Sequence, residues 1–403
     1  MTPEIRFNEF TQDWEQRKLR EMAENFEYGL NASATNYDGE NKYLRITDID
    51  DESRTFIKDR LTSPEFELKK ADNYLLQQYD ILFARTGATV GKTYRYDKKD
   101  GKVYYAGYLI RARIKSVYNT EFVFQNTLTD KYEKFIRITS QRSGQPGVNA
   151  NEYGSFEIFV PILEEQTKIG MFLKKIDDTI ALHQDKLDKL KQLKKGYLQL
   201  MFPQKGEKIP TLRFAHFPFN WEQRRLKQLG EIQTGNTPST NDIKNYDDGG
   251  TLWVTPTDIK SLITLNTAKK LSTEGARKAR IAKAGSILVT SIASIGKNTL
   301  ATKDMGFNQQ INSLTPFSEN DSYFLLTQSK IWSKKMKRSA SSGTMQIVNK
   351  SEFSNITTLV PKFEEQKKIG NFFKQIDDTI ALHQKKISIL QEIKKLYLQK
   401  MFA

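Results

Sequence analysis

Residues Gly87-Ala88-Thr89-Val90-Gly91-Lys92-Thr93 hold the ingredients of a phosphate cradle. Glycines let backbone N–H groups converge, a lysine brings charge and a threonine hydroxyl suits magnesium. The spacing is one residue short of GxxxxGK[ST]. A related stretch, Ile287–Leu300, has Ala293 near the place of Gly87 and Asn298 after Gly296-Lys297. The pattern therefore predicts a strand–turn–strand whose glycines make the turn. Pro64-Glu65-Phe66-Glu67-Leu68-Lys69 contains an ExK, as some nucleases do, but no related stretch repeats it. Asp177–Asp178 and Asp377–Asp378 resemble catalytic pairs. Adjacent residues on a helix point ~100° apart, so they share no site and are expected to be solvated or to meet a partner. With no Cys and three His, a Cys-held zinc is excluded. His216 stands alone in a linker. His183 and His383 are expected to pack in a helix seam and to hydrogen-bond across it. No GxGxxG follows a strand, so no dinucleotide or methyl-donor fingerprint is present.

The elements that would position these residues occur twice. Residues 3–19 and 210–226 match at 9 of 17 positions, and residues 161–202 and 361–402 match at 27 of 42. Between these anchors the copies diverge, apart from echoes such as ILFARTGATVGKTY against ILVTSIASIGKNTL. Two tandem copies thus share one frame with different fillings, and the chain needs two different surfaces rather than one surface twice.

The fillings read as mixed α+β. KYLRITDI, DILFART, YLIRARI and FEIFVP read as strands in the first copy, and TLWVTP, SILVTS and ITTLVP in the second. WEQRKLREMAENF and WEQRRLKQLGEI suit short amphipathic helices. Pro161 and Pro361 then open long helices, with Glu164–Glu165 and Glu364–Glu365 at the positive end. Ile169, Leu173, Ile176, Ile180, His183, Leu187, Leu190, Tyr197 and Met201 form a heptad stripe with a gap at Lys194. Ile369, Phe373, Ile376, Ile380, His383, Ile387, Leu390, Tyr397 and Met401 repeat it, with a gap at Lys394. A 3.5-residue period over four heptads is a coiled-coil signature. Equal copies favour a pseudo-twofold, hence an antiparallel pair with the globular parts at opposite ends.

The chain has 403 residues and a formal charge of +15. The basic excess is local. Residues 20–80 hold 8 basic and 14 acidic side chains, 81–160 hold 13 and 7, and 227–360 hold 17 and 10. Two basic segments in otherwise ordinary globular stretches point to a polyanion. No run of apolar residues is long enough to span a membrane and no secretory signal is visible, so the expected location is cytoplasmic.

The order of domain and helix, the WEQRKL and WEQRRL openings, the VP-x-x-EEQ-x-K-IG junctions and the helix ends GYLQLMF and LYLQKMF identify a resemblance. The chain resembles the specificity subunit of type I restriction–modification enzymes over its whole length. The resemblance implies target-recognition domains at 1–160 and 203–360, the latter with its linker, and long helices at 161–202 and 361–403. Each domain would read one half of a split sequence on double-stranded DNA. The antiparallel coiled coil would set the gap between half-sites and dock methyltransferase subunits, with restriction/translocase subunits joining through the complex. The subunit would be non-catalytic and carry no cofactor; S-adenosylmethionine, ATP and magnesium would sit on partners. The alternative is a duplicated-domain nuclease or NTPase acting on DNA by itself, and a third reading is a structural coiled-coil scaffold.

Base-reading candidates are polar or basic residues in loops where the copies differ. They are Arg85, Thr86, Lys92, Arg142, Ser143, Gln145 and Asn149 in the first domain. In the second they are Ser291, Ser294, Lys297, Asn298, Arg338, Ser341, Ser342, Gln346 and Asn349. Arg suits guanine and Asn or Gln suits adenine in the major groove.

Overall fold

The computed structural model describes residues 2–141, 144–340 and 347–402. By contacts the chain divides into two compact units. One is Met1–Lys186 with His383–Ala403; the other is Leu187–Leu382. Each unit therefore takes a globular domain, the first part of the long helix that follows it and the later part of the other long helix.

In the first unit a four-stranded antiparallel sheet runs in the order Ala23–Tyr28, Leu109–Ile114, Asp80–Ala84, Thr93–Arg95. Asp80–Ala84 is buried along its whole length, as an apolar central strand should be. The second unit repeats the order with Gly230–Thr234, Ile311–Pro316, Ile287–Thr290 and Asn298–Ala301, and adds Ile263–Thr264 at the edge. The parallel pair Lys42–Leu44 with Val103–Tyr105 corresponds to Tyr246–Val254 with Met305–Phe307, which sits in a larger sheet of four strands. A helical layer covers each main sheet. In the first unit it breaks into Thr120–Asn126 and Asp130–Thr139, where the Thr129 hydroxyl caps the second piece. In the second it is one helix, Ser322–Ala340.

The segments expected to be opening helices are mostly extended. Glu15–Lys18 pairs antiparallel with Glu157–Val160, and Glu222–Arg225 with Thr357–Val360. Only Leu19–Met22 forms a helical turn in the first unit, and Leu226–Gln228 a 3-10 turn in the second. All four side chains of EQRK and of EQRR are exposed, so neither carries an apolar helical face; the ladder to the domain's last strand decides the conformation.

The long helices span Leu163–Leu200 and Phe363–Lys400, 38 residues each and about 57 Å at ~1.5 Å per residue. Within each unit the two helix segments run antiparallel. In the first, Phe172 meets Tyr397 edge-on at 4.8 Å, Lys394 Nζ lies 2.6 Å from Asp177 Oδ1, and His183 meets His383. In the second, Tyr197 meets Phe372 at 4.9 Å and Lys194 Nζ lies 2.5 Å from Asp377 Oδ1. The gaps in the two apolar stripes are thus filled by ion pairs between helices. Ile169, Leu173, Ile369 and Phe373 are fully buried at the domain ends of the stripes, and Leu187, Ile376 and Ile387 are buried too. Ile176, Ile180, His183, Leu190, Ile380, His383 and Leu390 are half-buried.

The repeated junction motif is explained residue by residue. Glu165, fully buried, accepts from Arg6 Nε at 2.7 Å, and Glu365 accepts from Arg213 Nε at 2.7 Å. Gln166 accepts from the Asn119 N–H and donates to the Pro161 carbonyl; Gln366 treats Asp321 and Pro361 alike. Gly170 gives the covering helix room to approach: a Cβ there would lie 2.8 Å from Asn119 Oδ1 and 3.1 Å from the Phe122 nitrogen. At Gly370 the distances to Asp321 Oδ1 and the Phe324 nitrogen would be 2.1 and 3.0 Å. The helix-ending motif also has a role. Leu398 and Met401 enter the core around Trp14 and Phe122, while Met201 and Phe202 enter that around Trp221 and Phe324.

Candidate nucleic-acid interface

In each unit the turn after the central strand lies against the loop that precedes a short helix. In the first, the Arg85 carbonyl accepts from the Val148 N–H at 2.9 Å, the Gly87 N–H donates to the Pro146 carbonyl, and Thr86 bridges Gly147. In the second, the Ser291 carbonyl accepts from the Val348 N–H at 2.9 Å and Ile292 bridges Ile347. A third loop joins from the neighbouring strand. The Arg85 N–H donates to the Tyr108 carbonyl at 3.0 Å and the Ser291 N–H to the Gln310 carbonyl at 2.8 Å. The strand–turn–strand expectation holds at this turn. Gly87 and Gly91 take φ of 80° and 86°, and the second copy turns with Ala293 at 59° and Gly296 at 84°.

The candidate readers divide by what their side chains already do. Arg85 is half-buried, its guanidinium carbon 4.9 Å from the centroid of the Tyr28 ring. Thr86 is half-buried and Gln145 exposed in the same cluster. Lys92 differs from a solvent-facing base. It is 6% exposed, its ammonium donates to the Ile49 carbonyl at 2.9 Å, and it lies 2.5 Å from Asp51 Oδ1. A lysine so engaged points into the fold rather than toward a phosphate. Asn149 and Asn349 are exposed helix caps. Each side chain accepts from the N–H of Glu152 or Glu352, whose carboxylate accepts the asparagine N–H in return.

In the second unit Ser291 is buried, its hydroxyl donating to the Gln310 carbonyl at 3.0 Å. The Ser294 carbonyl accepts from the Thr290 hydroxyl, and Asn298 hydrogen-bonds Ser333 at 3.1 Å. Lys297 is exposed at the turn and Arg338 is exposed near the end of the 322–340 helix. Arg142, Ser143, Ser341, Ser342 and Gln346 lie outside the described residues.

Residues that the loop comparison passed over complete both clusters. Tyr28 and Tyr108 are 43% and 65% exposed beside Arg85. Gln309 is exposed beside Ser291, and its carboxamide oxygen accepts from the Thr237 hydroxyl. The signal for Tyr108 and Gln309 lay in the strand register. Phe83 pairs with Ile110 and Val289 with Asn312, which aligns GYLI of the first copy with QQIN of the second.

The acidic pairs on the long helices serve the frame. Asp177 meets Lys394 and accepts from Gln125, and Asp377 meets Lys194 and accepts from Tyr323. Asp178 and Asp378 instead pair along their own helix with Lys174 and Lys374. The two carboxylates of each pair have different partners, as their helical spacing requires. His183 Nδ1 and His383 Nδ1 lie 2.9 Å apart and share a hydrogen bond. Burial, followed by the charges of His383, Lys386 and Lys186, lowers the pKa of His183. Glu67 of the ExK run pairs with Lys70. Among the described residues no three His, Cys, Asp or Glu side chains gather as metal ligands, and no helix is long and apolar enough to cross a membrane.

Comparison with known proteins agrees with this architecture. The crystal structure of the type I restriction–modification S subunit from M. genitalium superposes with a TM-score of 0.73 at 13% identity, covering 100% of this chain and 99% of that one, a likeness of fold. The MjaIX specificity subunit of Methanocaldococcus jannaschii is 32% identical over 183 residues, 44% of this chain and 42% of that protein. The HindI specificity subunit of Haemophilus influenzae is 33% identical over 167 residues, 39% of this chain and 36% of that protein. These two matches thus span less than half of either relative. A putative MjaX specificity subunit of M. jannaschii matches at 22% over 96% of this chain and 92% of its own length. The family model for the type I restriction modification DNA specificity domain matches residues 11–192 and again 218–394, so the chain belongs to that family and carries its domain twice.

Proposed function

We propose that the chain is the sequence-reading, non-catalytic subunit of a type I restriction–modification complex. Each globular domain reads one half of a bipartite sequence in double-stranded DNA. The long-helix pair sets the spacer between half-sites and docks methyltransferase subunits, and restriction/translocase subunits join through them. S-adenosylmethionine, ATP and magnesium act on those partners, and the complex works in the cytoplasm. The observation that carries this reading is one frame with two fillings. The junctions built on Glu165, Gln166 and Gly170 recur at Glu365, Gln366 and Gly370, whereas the loop clusters keep only the caps Asn149 and Asn349 in common and differ where Arg85 and Gly107 stand against Ser291 and Gln309. A catalyst duplicated for its activity would keep its reacting groups in both copies; here the repeated side chains are those of the helix junctions and the helix caps, which hold the frame. Lys92, in the turn closest to a phosphate cradle, is engaged internally, which speaks against the NTPase alternative.

The test is a domain exchange. Residues 227–360 are replaced by the equivalent segment of a relative, the variant is co-expressed with its methyltransferase subunits, and methylated bases are mapped genome-wide. One half of the methylated sequence should change while the other half stays the same. A change in both halves refutes the assignment of one domain to one half-site.

A further inference from the structure

We propose that the two loop clusters read different bases through reciprocal positions: Arg85 takes a guanine in one half-site and Gln309 takes an adenine in the other. The proposal rests on the DNA-reading function and adds the base class and the residue.

Strand register makes Arg85 equivalent to Ser291 and Gly107 equivalent to Gln309. Where the first unit has a long cation and then a bare glycine, the second has a short buried hydroxyl and then a long carboxamide. The backbone beneath is the same in both. The N–H of the strand-end residue donates to the neighbouring turn, and its carbonyl accepts from Val148 or Val348. One reading side chain thus emerges from each cluster, from a different loop each time.

Both are held before any ligand arrives. The Arg85 guanidinium lies over the Tyr28 ring, and the Tyr28 hydroxyl in turn accepts from the Ala150 N–H at 3.3 Å. A ring face orients the flat guanidinium, and its edge carries the N–H donors. Among the described residues no carboxylate pairs with Arg85. A planar fork of donors fits the O6 and N7 acceptors of guanine. In the second unit the Thr237 hydroxyl occupies one lone pair of Gln309 and fixes the carboxamide plane. The other lone pair and the NH2 remain for the N6 donor and N7 acceptor of adenine. A phosphate oxygen would take only the NH2 of Gln309, whereas adenine takes the NH2 and the remaining lone pair together.

The test uses the complete complex with its methyltransferase subunits and duplexes carrying the mapped sequence with single base-pair substitutions. Arg85→Lys keeps the charge and removes the fork. It should reduce discrimination at one G·C pair of a single half-site by about 5- to 150-fold, leaving the other half-site intact. Gln309→Ala should do the same at one A·T pair of the other half-site. Tyr28→Leu leaves Arg85 in place without its platform and should weaken the same G·C discrimination. Circular dichroism of each variant separates loss of reading from loss of fold. Uniform weakening over all sequences by Arg85→Lys, or relaxation at an A·T pair, overturns the assignment to guanine. Unchanged discrimination by Gln309→Ala overturns the assignment to adenine. If the wild-type complex itself showed no preference among the duplexes, the recognition reading would fall, and this proposal with it.

Discussion

The central sheets of the two units solve one position in opposite ways. In the first, Asp80 is fully buried and accepts from Arg113 Nε at 2.8 Å, and Arg111 on the same strand meets Glu27. Burial pushes the Asp80 carboxyl up, against the pull of Arg113. At the equivalent place in the second unit, the Ser286 and Thr315 hydroxyls hydrogen-bond at 2.8 Å, and Ser313 replaces Arg111. Charged and uncharged interiors therefore support the same strand order. The junctions with the long helices show no such freedom, because Arg6–Glu165 and Arg213–Glu365 are the same pair in the same place. Even there one detail differs: Trp221 Nε1 donates to Glu365 at 3.3 Å, while Trp14 Nε1 has no partner among the described residues. The lesson is that the constraint lies where a domain grips its helices, and the sheet behind the reading loops is free to change.

That contrast is sharpest in Asp80→Ala. It leaves Arg113 without its carboxylate, while Arg111 keeps Glu27, and should cost the first unit about 3 kcal/mol. Ser286→Ala in the second unit removes a neutral pair and should cost about 1 kcal/mol. Hydrogen exchange on the 80–84 and 287–290 strands reads the two units separately; equal losses would dissolve the contrast. The junctions should behave alike in kind and differ in degree. Gly170→Ala and Gly370→Ala both push a methyl into the covering helix, at about 1–3 kcal/mol, with the larger loss at 370 where the approach is closer. Urea titration of both variants checks the order, and stabilisation by either would show that the glycine is not needed for the approach.

The smallest effect belongs to the His183–His383 pair, where equivalent residues of the two repeats touch each other directly. The folded state holds the His183 pKa below its ordinary value of 6.5, so the unfolded chain takes up the proton first. The contribution is complete above that pH and is lost as pH falls through it toward the lowered value. Thermal melts between pH 7.5 and 5 should show this decline in the wild type and less of it in His183→Gln. An equal decline in both would assign it to other groups.

Most of the frame was legible in the residues: the duplication, the long helices, the His pair and the turn glycines all declare themselves locally. What escaped depends on partners far along the chain. EQRK is a strand because FEIFVP lies beside it 140 residues later, and nothing within EQRK says so. Lys92 reads in the sequence as a DNA-facing side chain because its own segment does not reveal that Ile49 and Asp51 receive it. Asn149 and Asn349 did carry a local clue, the Asn-x-x-Glu spacing of a capping box, which explains their side chains without DNA. Tyr108 and Gln309 become visible only when strand register, rather than linear similarity, aligns the copies, and Tyr28 only through its contact with Arg85.

The insertion of each helix end into a domain core has a consequence in time. Met201 and Phe202, which fill the second unit's core, are made before that unit's sheet, so the second domain can close as it emerges. The first unit receives Leu398 and Met401 roughly 240 residues after its own 157–160 strand. At ~5–20 residues per second the ribosome needs about 12–50 s to supply them. Until then the core around Trp14 and Phe122 lacks the two side chains that complete it. A messenger broken between the codons for Phe373 and Leu398 would therefore yield a second domain able to close beside a first one still lacking its stopper.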